Sequence, residues 1–202
     1  MNEGYNLPDV PQEGTQEHDE YMRSQFGDDY ELGYRVGFGR RLGAFLIDVV
    51  LAYIIVTIIN SFFFDEKALE SIIENQENLD LVIPYLKDIL SIMFIVTLLY
   101  YISEVFFGFS LGKLILKIRI AAENRSEANT SNLLIRYLIK YSFPILAIIA
   151  ILLESVLITY LSVLGLVIFI IGSLVSLGST RQALHDKISK TAVYFKENIK
   201  NY

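Results

Sequence analysis

Asp48 is the only charged residue between Leu42 and Phe64, an otherwise apolar run. An ionised Asp inside a membrane span costs about 2.5–3.5 kcal/mol on insertion scales, so it must face protein or water and find a partner there. Arg41 precedes it by two helical turns, which puts the two within about 20° of each other on one helix face but about 10.5 Å apart along the axis. Arg41 therefore approaches Asp48 without readily touching it, and a cation from another segment is expected as the direct partner. Ala44 and Ala52, one turn to either side, leave room for a neighbouring helix to come close. Two chemistries fit such a carboxylate: a buried acid that pins helix packing, or a group that binds an ion or proton.

A second set of chemistry-bearing residues is less promising than its motifs. Gly108-Phe109-Ser110-Leu111-Gly112 reads G-x-S-x-G, the nucleophile elbow of hydrolases, which needs a strand before it, a helix after it, and an acid and a His from the same sheet. Here an apolar span precedes it, so Ser110 is not expected to be a nucleophile and no enzyme activity is expected. Gly112-Lys113 imitates the end of a phosphate loop, but Phe107 stands where its first Gly belongs and Leu114 where Ser or Thr is required. The chain has no Cys and only His18 and His185, which excludes thiol catalysis, iron–sulfur clusters and imidazole-rich metal sites. No metal or cofactor is expected, and nothing points to nucleic acid.

The elements that must hold these residues follow from hydropathy. Of 202 residues, 53% are hydrophobic and 20% charged, with a net charge of −6, so the charges must be segregated. Residues 1–39 sum to −7, residues 65–80 to −5, residues 108–140 to +4, and the tail from Arg181 to +3. Between these zones lie apolar stretches long enough to cross a hydrocarbon core of about 30 Å. Four spans are expected, at about 42–64, 85–107, 141–156 and 159–177, the last two turning near Glu154 and Ser155. The competing count is three, with one long tilted third helix. Basic flanks stay in the cytoplasm, so Arg40 and Arg41, the 108–140 segment and the tail are expected inside with both termini, and the acidic 65–80 loop outside. Pro144 suits the first turn of the third span.

The fold class expected is an all-α membrane protein with a short amphipathic helix and a small two-stranded β element on the cytoplasmic side. Residues 1–38 lack the basic-then-apolar pattern of a signal peptide and read as an acidic, disordered tail; residues 39–196 form the transmembrane domain, and 197–202 a short C-terminal tail. Leu114 to Ala122 alternates with period two, as does Thr191 to Phe195, and the two stretches are expected to pair. From Asn132 to Tyr141 the pattern is helical, with Arg136 and Lys140 on a basic face expected to lie against the anionic inner leaflet. Ser162, Gly165, Gly172, Ser173 and Ser176 form a small-residue stripe suited to close helix packing.

Several of these stretches together resemble the RDD family of bacterial membrane proteins, named for one Arg and two Asp. Gly39-Arg40-Arg41-Leu42-Gly43-Ala44-Phe45-Leu46-Ile47-Asp48 is similar to its opening, GFSLGKLILKIR at 108–119 to its glycine turn after the second span, and Arg136 to an Arg preceding its third. Leu184-His185-Asp186 through Thr191-Ala192-Val193 is similar to its closing element, with Ser189-Lys190 where the family more often has Ala-Gly. The likeness runs over about residues 36–196. It implies a bacterial cytoplasmic membrane location, a helical bundle, and Arg41, Asp48 and Asp186 as the signature residues.

Two functional classes remain. One is a small transporter-like protein for an ion, proton or solute, in which Asp48 binds the cation while Arg41 and Asp186 set its protonation or gate access; a bundle this small would act as a homo-oligomer. The other is a non-catalytic accessory, assembly or immunity subunit that binds another membrane protein through the small-residue face or the acidic tail. A direct Arg41–Asp186 bond is expected in either case, with Gly108, Ser110, Gly112, Lys113, Arg136 and His185 as secondary candidates.

Overall fold

The computed structural model describes residues 11–12, 15–27, 29–63 and 79–200. Most of the first 14 residues and residues 65–78 of the expected outer loop lie outside the described residues.

Long apolar runs become long helices. Helix α3 (Phe38–Phe63) spans 26 residues, about 39 Å at 1.5 Å per residue, and buries only a stripe that includes Ala44, Asp48 and Ala52. Helix α4 (Leu79–Tyr101) continues almost directly into the short α5 (Ser103–Phe107). After a turn come α6 (Leu111–Ile115), β1 (Ile118–Ala122), α7 (Thr130–Lys140) and α8 (Ser142–Leu152), then α9 (Val156–Leu174), α10 (Leu184–Ile188) and β2 (Thr191–Phe195). Helix α3, the run Val82–Phe107, and α9 with its 3₁₀ extension to Leu177 are each long and apolar enough to cross a membrane; α7 and α8, bent by 61° where they join, make a fourth crossing if the pair is one span.

Three ion pairs show how the bundle runs. Lys87, early in α4, meets Glu154 in the α8–α9 turn at 3.0 Å, so these lie at one end. Arg41 at the start of α3, Arg136 on α7 and Asp186 on α10 meet at the other. Helices α8 and α9 thus run away from that charged end and back again, turning at Glu154 and Ser155 as the sequence predicts; the Ser155 hydroxyl accepts the Ile158 N–H. The small-residue stripe serves this hairpin. A Cβ on Gly165 would lie 3.3–3.5 Å from Ser142 and Phe143, and one on Gly172 would lie 3.0 Å from the Leu184 Cβ.

The β element is an antiparallel pair, with Ile118 opposite Phe195 and Ala122 opposite Thr191. Its inward residues Ile118, Ile120 and Val193 form a core with Val36, Ala44 and Leu133, which seats the strand pair on the start of α3. Three expectations are corrected here. The period-two stretch is extended only from Ile118: Leu111–Ile115 is helical, and the left-handed backbone of Lys117 (φ 54°) separates the two. The basic face of α7 does not lie outward: Arg136 and Lys140 are buried together with Leu133 and Tyr137, while Leu134, Ile135 and Leu138 are exposed, because the carboxylates that neutralise its cations lie inside the bundle.

The third correction concerns the amino-terminal tail. Within the described residues it folds, as α1 (Gln16–Phe26) and α2 (Asp29–Leu32). Buried Arg125, in the turn after β1, pairs with Asp19 at 3.0 Å and Glu31 at 2.5 Å and lies 3.8 Å from the centre of the Tyr34 ring; Lys200 joins the same two acids. Two of the acids of this segment are thus neutralised by Arg125, from the turn after β1, and by Lys200.

Candidate functional site

The charged end of the bundle contains two adjoining arrangements, one around Asp48 and one around Glu104 and Asp186. Asp48 is fully buried. Its Oδ1 accepts the Tyr100 hydroxyl at 2.7 Å and the Gly112 N–H at 2.7 Å, and its Oδ2 accepts the Ser110 hydroxyl at 2.6 Å. The expected cationic partner is replaced, among the described residues, by these three neutral donors.

The G-x-S-x-G stretch is what makes this clasp. Gly108 closes α5 with left-handed backbone (φ 72°), and a Cβ there would lie 2.9 Å from the Ile120 carbonyl oxygen. Gly112 packs so tightly on α3 that a Cβ would lie 2.2 Å from the Ala44 carbonyl oxygen and 2.8 Å from the Asp48 carboxyl. Two glycines with a Ser between them are therefore what a tight turn needs to lay a hydroxyl and an N–H on a buried carboxylate. The room left by Ala44 is filled by this turn.

The second arrangement is an ion network. Glu104 on α5, 2% exposed, accepts from Arg136 at 2.7 Å and Lys140 at 3.1 Å and also pairs with Lys113. Asp186 pairs with Arg41, as the sequence predicts, and with Arg136 at 2.8 Å. It also accepts the Ala183 N–H at 3.2 Å. Arg136 therefore bridges the two acids, and the network connects α3, α5, α6, α7 and α10. Arg41 is fixed further by the Val36 and Arg181 carbonyl oxygens.

Burial alone would raise the Asp186 pKa, but Arg136 and then Arg41 outweigh it and hold the carboxyl well below the usual range. Burial, opposed by Asp186, pushes His185 down to about 3. His185 is thus a neutral ring, 3.5 Å from an Arg136 nitrogen.

Every candidate from the sequence lies in or beside these arrangements. Arg41, Arg136, His185, Asp186 and Lys113 belong to the network, Asp48, Ser110 and Gly112 to the clasp, and Gly108 shapes the turn. Lys113 Nζ also lies 3.3 Å from the Ser110 hydroxyl, joining the two. Glu104, Lys140 and Tyr100 were not among those candidates. Glu104 was the one with a signal, since it is a carboxylate at the end of an apolar run, as Asp48 is at the start of one.

A cavity of about 240 Å³ opens beside the network. Arg41, Asp48, Lys113, Arg136, Lys140 and His185 line it, with Phe45 of α3 and Phe169, Ile170 and Leu174 of α9 among its apolar lining. The rings of Phe45 on α3 and Phe169 on α9 are 6.4 Å apart.

No curated protein and no solved structure matches the chain. The RDD family model matches residues 35–190, a stretch that takes in the start of α3, the glycine turn, Arg136, and the α10 segment where Asp186 receives Arg41; the chain belongs to the RDD family.

Proposed function

We propose that this RDD-family membrane protein is a small transporter-like protein whose binding centre is the cavity beside the charge network. The observation that supports this reading is a cavity beside the charge network, lined by charged side chains from three helices, α3, α6 and α7. An ion network that only held the helices together would not need a cleft of about 240 Å³ beside it. Asp48 is assigned a different part from a freely exchanging cation ligand. Three donors already occupy its oxygens, so it fixes the turn that carries Lys113 to the cavity wall.

The reading places the charged end in the bacterial cytoplasm, supported by the excess of Lys and Arg in its flanks, and has the protein acting as a homo-oligomer in the bilayer without catalytic activity. Single Cys introduced at Asn75, Ser126, Ser155 and Asn198 tests the orientation: labelling from outside intact cells is expected at Asn75 and Ser155 only. For transport, Ser173 lines the cavity and bonds only within its own helix. Ser173→Leu should fill the space and abolish flux in proteoliposomes while the protein still inserts; undiminished flux would sink the proposal.

The accessory-subunit reading has less support. Its small-residue face is covered by α8 and Leu184, and Asp19 and Glu31 of its acidic tail are engaged within the chain.

A further inference from the structure

The cavity wall is electrically lopsided. Of the charged groups that line it, Arg41, Lys113, Arg136 and Lys140 are cations and only Asp48 is an acid. The two carboxylates that neutralise those cations, Glu104 and Asp186, are buried and do not line the cavity. Glu104 alone serves three cations. With all of them ionised, four cations against Asp48, Glu104 and Asp186 leave one positive charge in excess among side chains that are mostly buried. Such a surplus is costly unless an anion is brought to it.

The remaining wall says what the anion carries. Phe45 and Leu42 on α3 and Ile170 and Leu174 on α9 line the cavity and are also exposed on the outer surface of apolar helices, the surface that faces lipid tails in a membrane. A polar inner wall and an apolar, lipid-side rim suit one molecule with a charged head and a hydrocarbon tail.

We infer that the cavity binds an anionic amphiphile, a carboxylate or phosphate head against Arg41, Lys113, Arg136 and Lys140 with its apolar tail leaving past Leu42 and Phe45 of α3 and Ile170 and Leu174 of α9 toward the bilayer. This deepens the transporter reading by naming the class of species handled, and it rests on that reading only for the claim that the species moves.

The chain contains no Trp, so Phe169→Trp makes a single fluorescent reporter at the rim. In neutral-lipid nanodiscs and alkaline buffer, a terminally brominated undecanoate should quench it at concentrations about tenfold lower than the matching brominated alcohol, and unlabelled decanoate should reverse the quenching. Phe62→Trp, at an 82% exposed position on the far end of α3, reports simple partition into the bilayer and should show no such preference. Adding Ser173→Leu to the Phe169→Trp protein should remove the selective quenching without touching the ion network. Equal quenching by acid and alcohol, or stronger quenching by a brominated alkylammonium, would overturn the inference.

Repeating the titration with phosphatidylglycerol in the nanodisc separates the two sources of the anion. Suppressed quenching assigns the site to a lipid headgroup and unchanged quenching to a free amphiphile, and either supports an anionic ligand. Selective quenching without flux would sink transport and leave the binding site standing. Flux of a cation without selective quenching would do the reverse.

Discussion

The Gly112 N–H donates to Asp48 Oδ1 at 2.7 Å from a position where no side chain fits, since a Cβ on Gly112 would sit 2.2 Å from the Ala44 carbonyl oxygen. The contact couples an acid in the first span to a turn more than sixty residues later. It means that the acid and the glycine act as a unit, and that the tolerance of either to change is set by the other.

Gly112→Ala should therefore be far more damaging than its chemistry suggests. Backbone is what the new methyl meets, so α6 must move off α3 and the clasp must open, at a cost of about 3 kcal/mol or more. Ser110→Ala removes one hydroxyl from Asp48 and should cost about 1–2 kcal/mol. Thermal unfolding in detergent should rank the two in that order, and a Gly112→Ala protein as stable as Ser110→Ala would contradict the close approach.

Glu104→Gln removes the charge that three buried cations share. Breaking a buried pair from one side costs about 3–5 kcal/mol, and here more than one cation is left exposed to the loss. Glu154→Gln, which breaks the exposed pair with Lys87, should change stability by less than about 1 kcal/mol. Melting temperatures of the two variants, compared side by side, check both statements.

Exchanging the charges of Arg41 and Asp186 should not restore the native fold. An Arg at 186 would face Arg136, which already donates to that site at 2.8 Å, so the double variant trades one lost pair for a repulsion. Asp186→Asn should likewise cost more than Arg41→Gln, because Asp186 serves two guanidiniums. Recovery of full stability in the charge-swapped protein would show that the Arg136–Asp186 bond is dispensable.

Acid should weaken the charged end in a defined window. His185 has an ordinary pKa of 6.5 and a folded value of about 3, so its contribution is fully present above pH 6.5 and is lost as the pH falls toward 3. Asp186, also held low, adds a loss of the same sign below its ordinary 3.8. Melting temperature should decline from pH 6.5 downward, and His185→Asn should decline less steeply over pH 6.5 to 4.

Lys190 has left-handed backbone (φ 54°) just before β2, a conformation that a residue with a Cβ adopts at a cost of about 1–2 kcal/mol. The Gly that the family likeness leads one to expect there is the residue this dihedral favours. Lys190→Gly should stabilise this chain by about 0.5–1 kcal/mol, after Gly's own entropic cost, measured as a raised melting temperature.

The spans were legible because apolar length is a one-dimensional property, and the turn at Glu154 and Ser155 because polar residues interrupt it. Arg41 and Asp186 were legible as a pair through the family likeness. Three other features depend on neighbours that a local pattern does not contain. The α7 helix shows one apolar and one basic face, and nothing in residues 130–140 says which is outside; that is decided by Glu104 and Asp186. The clasp around Asp48 was hidden because the expectation looked for a cation, whereas a turn can satisfy a carboxylate with hydroxyls and an N–H. The acidic segment looked solvated because its partners, Arg125 and Lys200, are about a hundred residues or more away.

The distance in sequence between Arg41 and Asp186 has a consequence for how the protein is made. During synthesis Arg41 and Asp48 enter the membrane first, but the Ser110 turn arrives later and Asp186 almost last. Until then Arg41 and Arg136 have no Asp186 to meet, and the unfinished bundle holds unmatched charge. Docking of the Asp186 segment thus completes the charge network. A chain stopped short of it should be recognisable to membrane proteases as unfinished, and a full chain should become resistant to them as that segment docks.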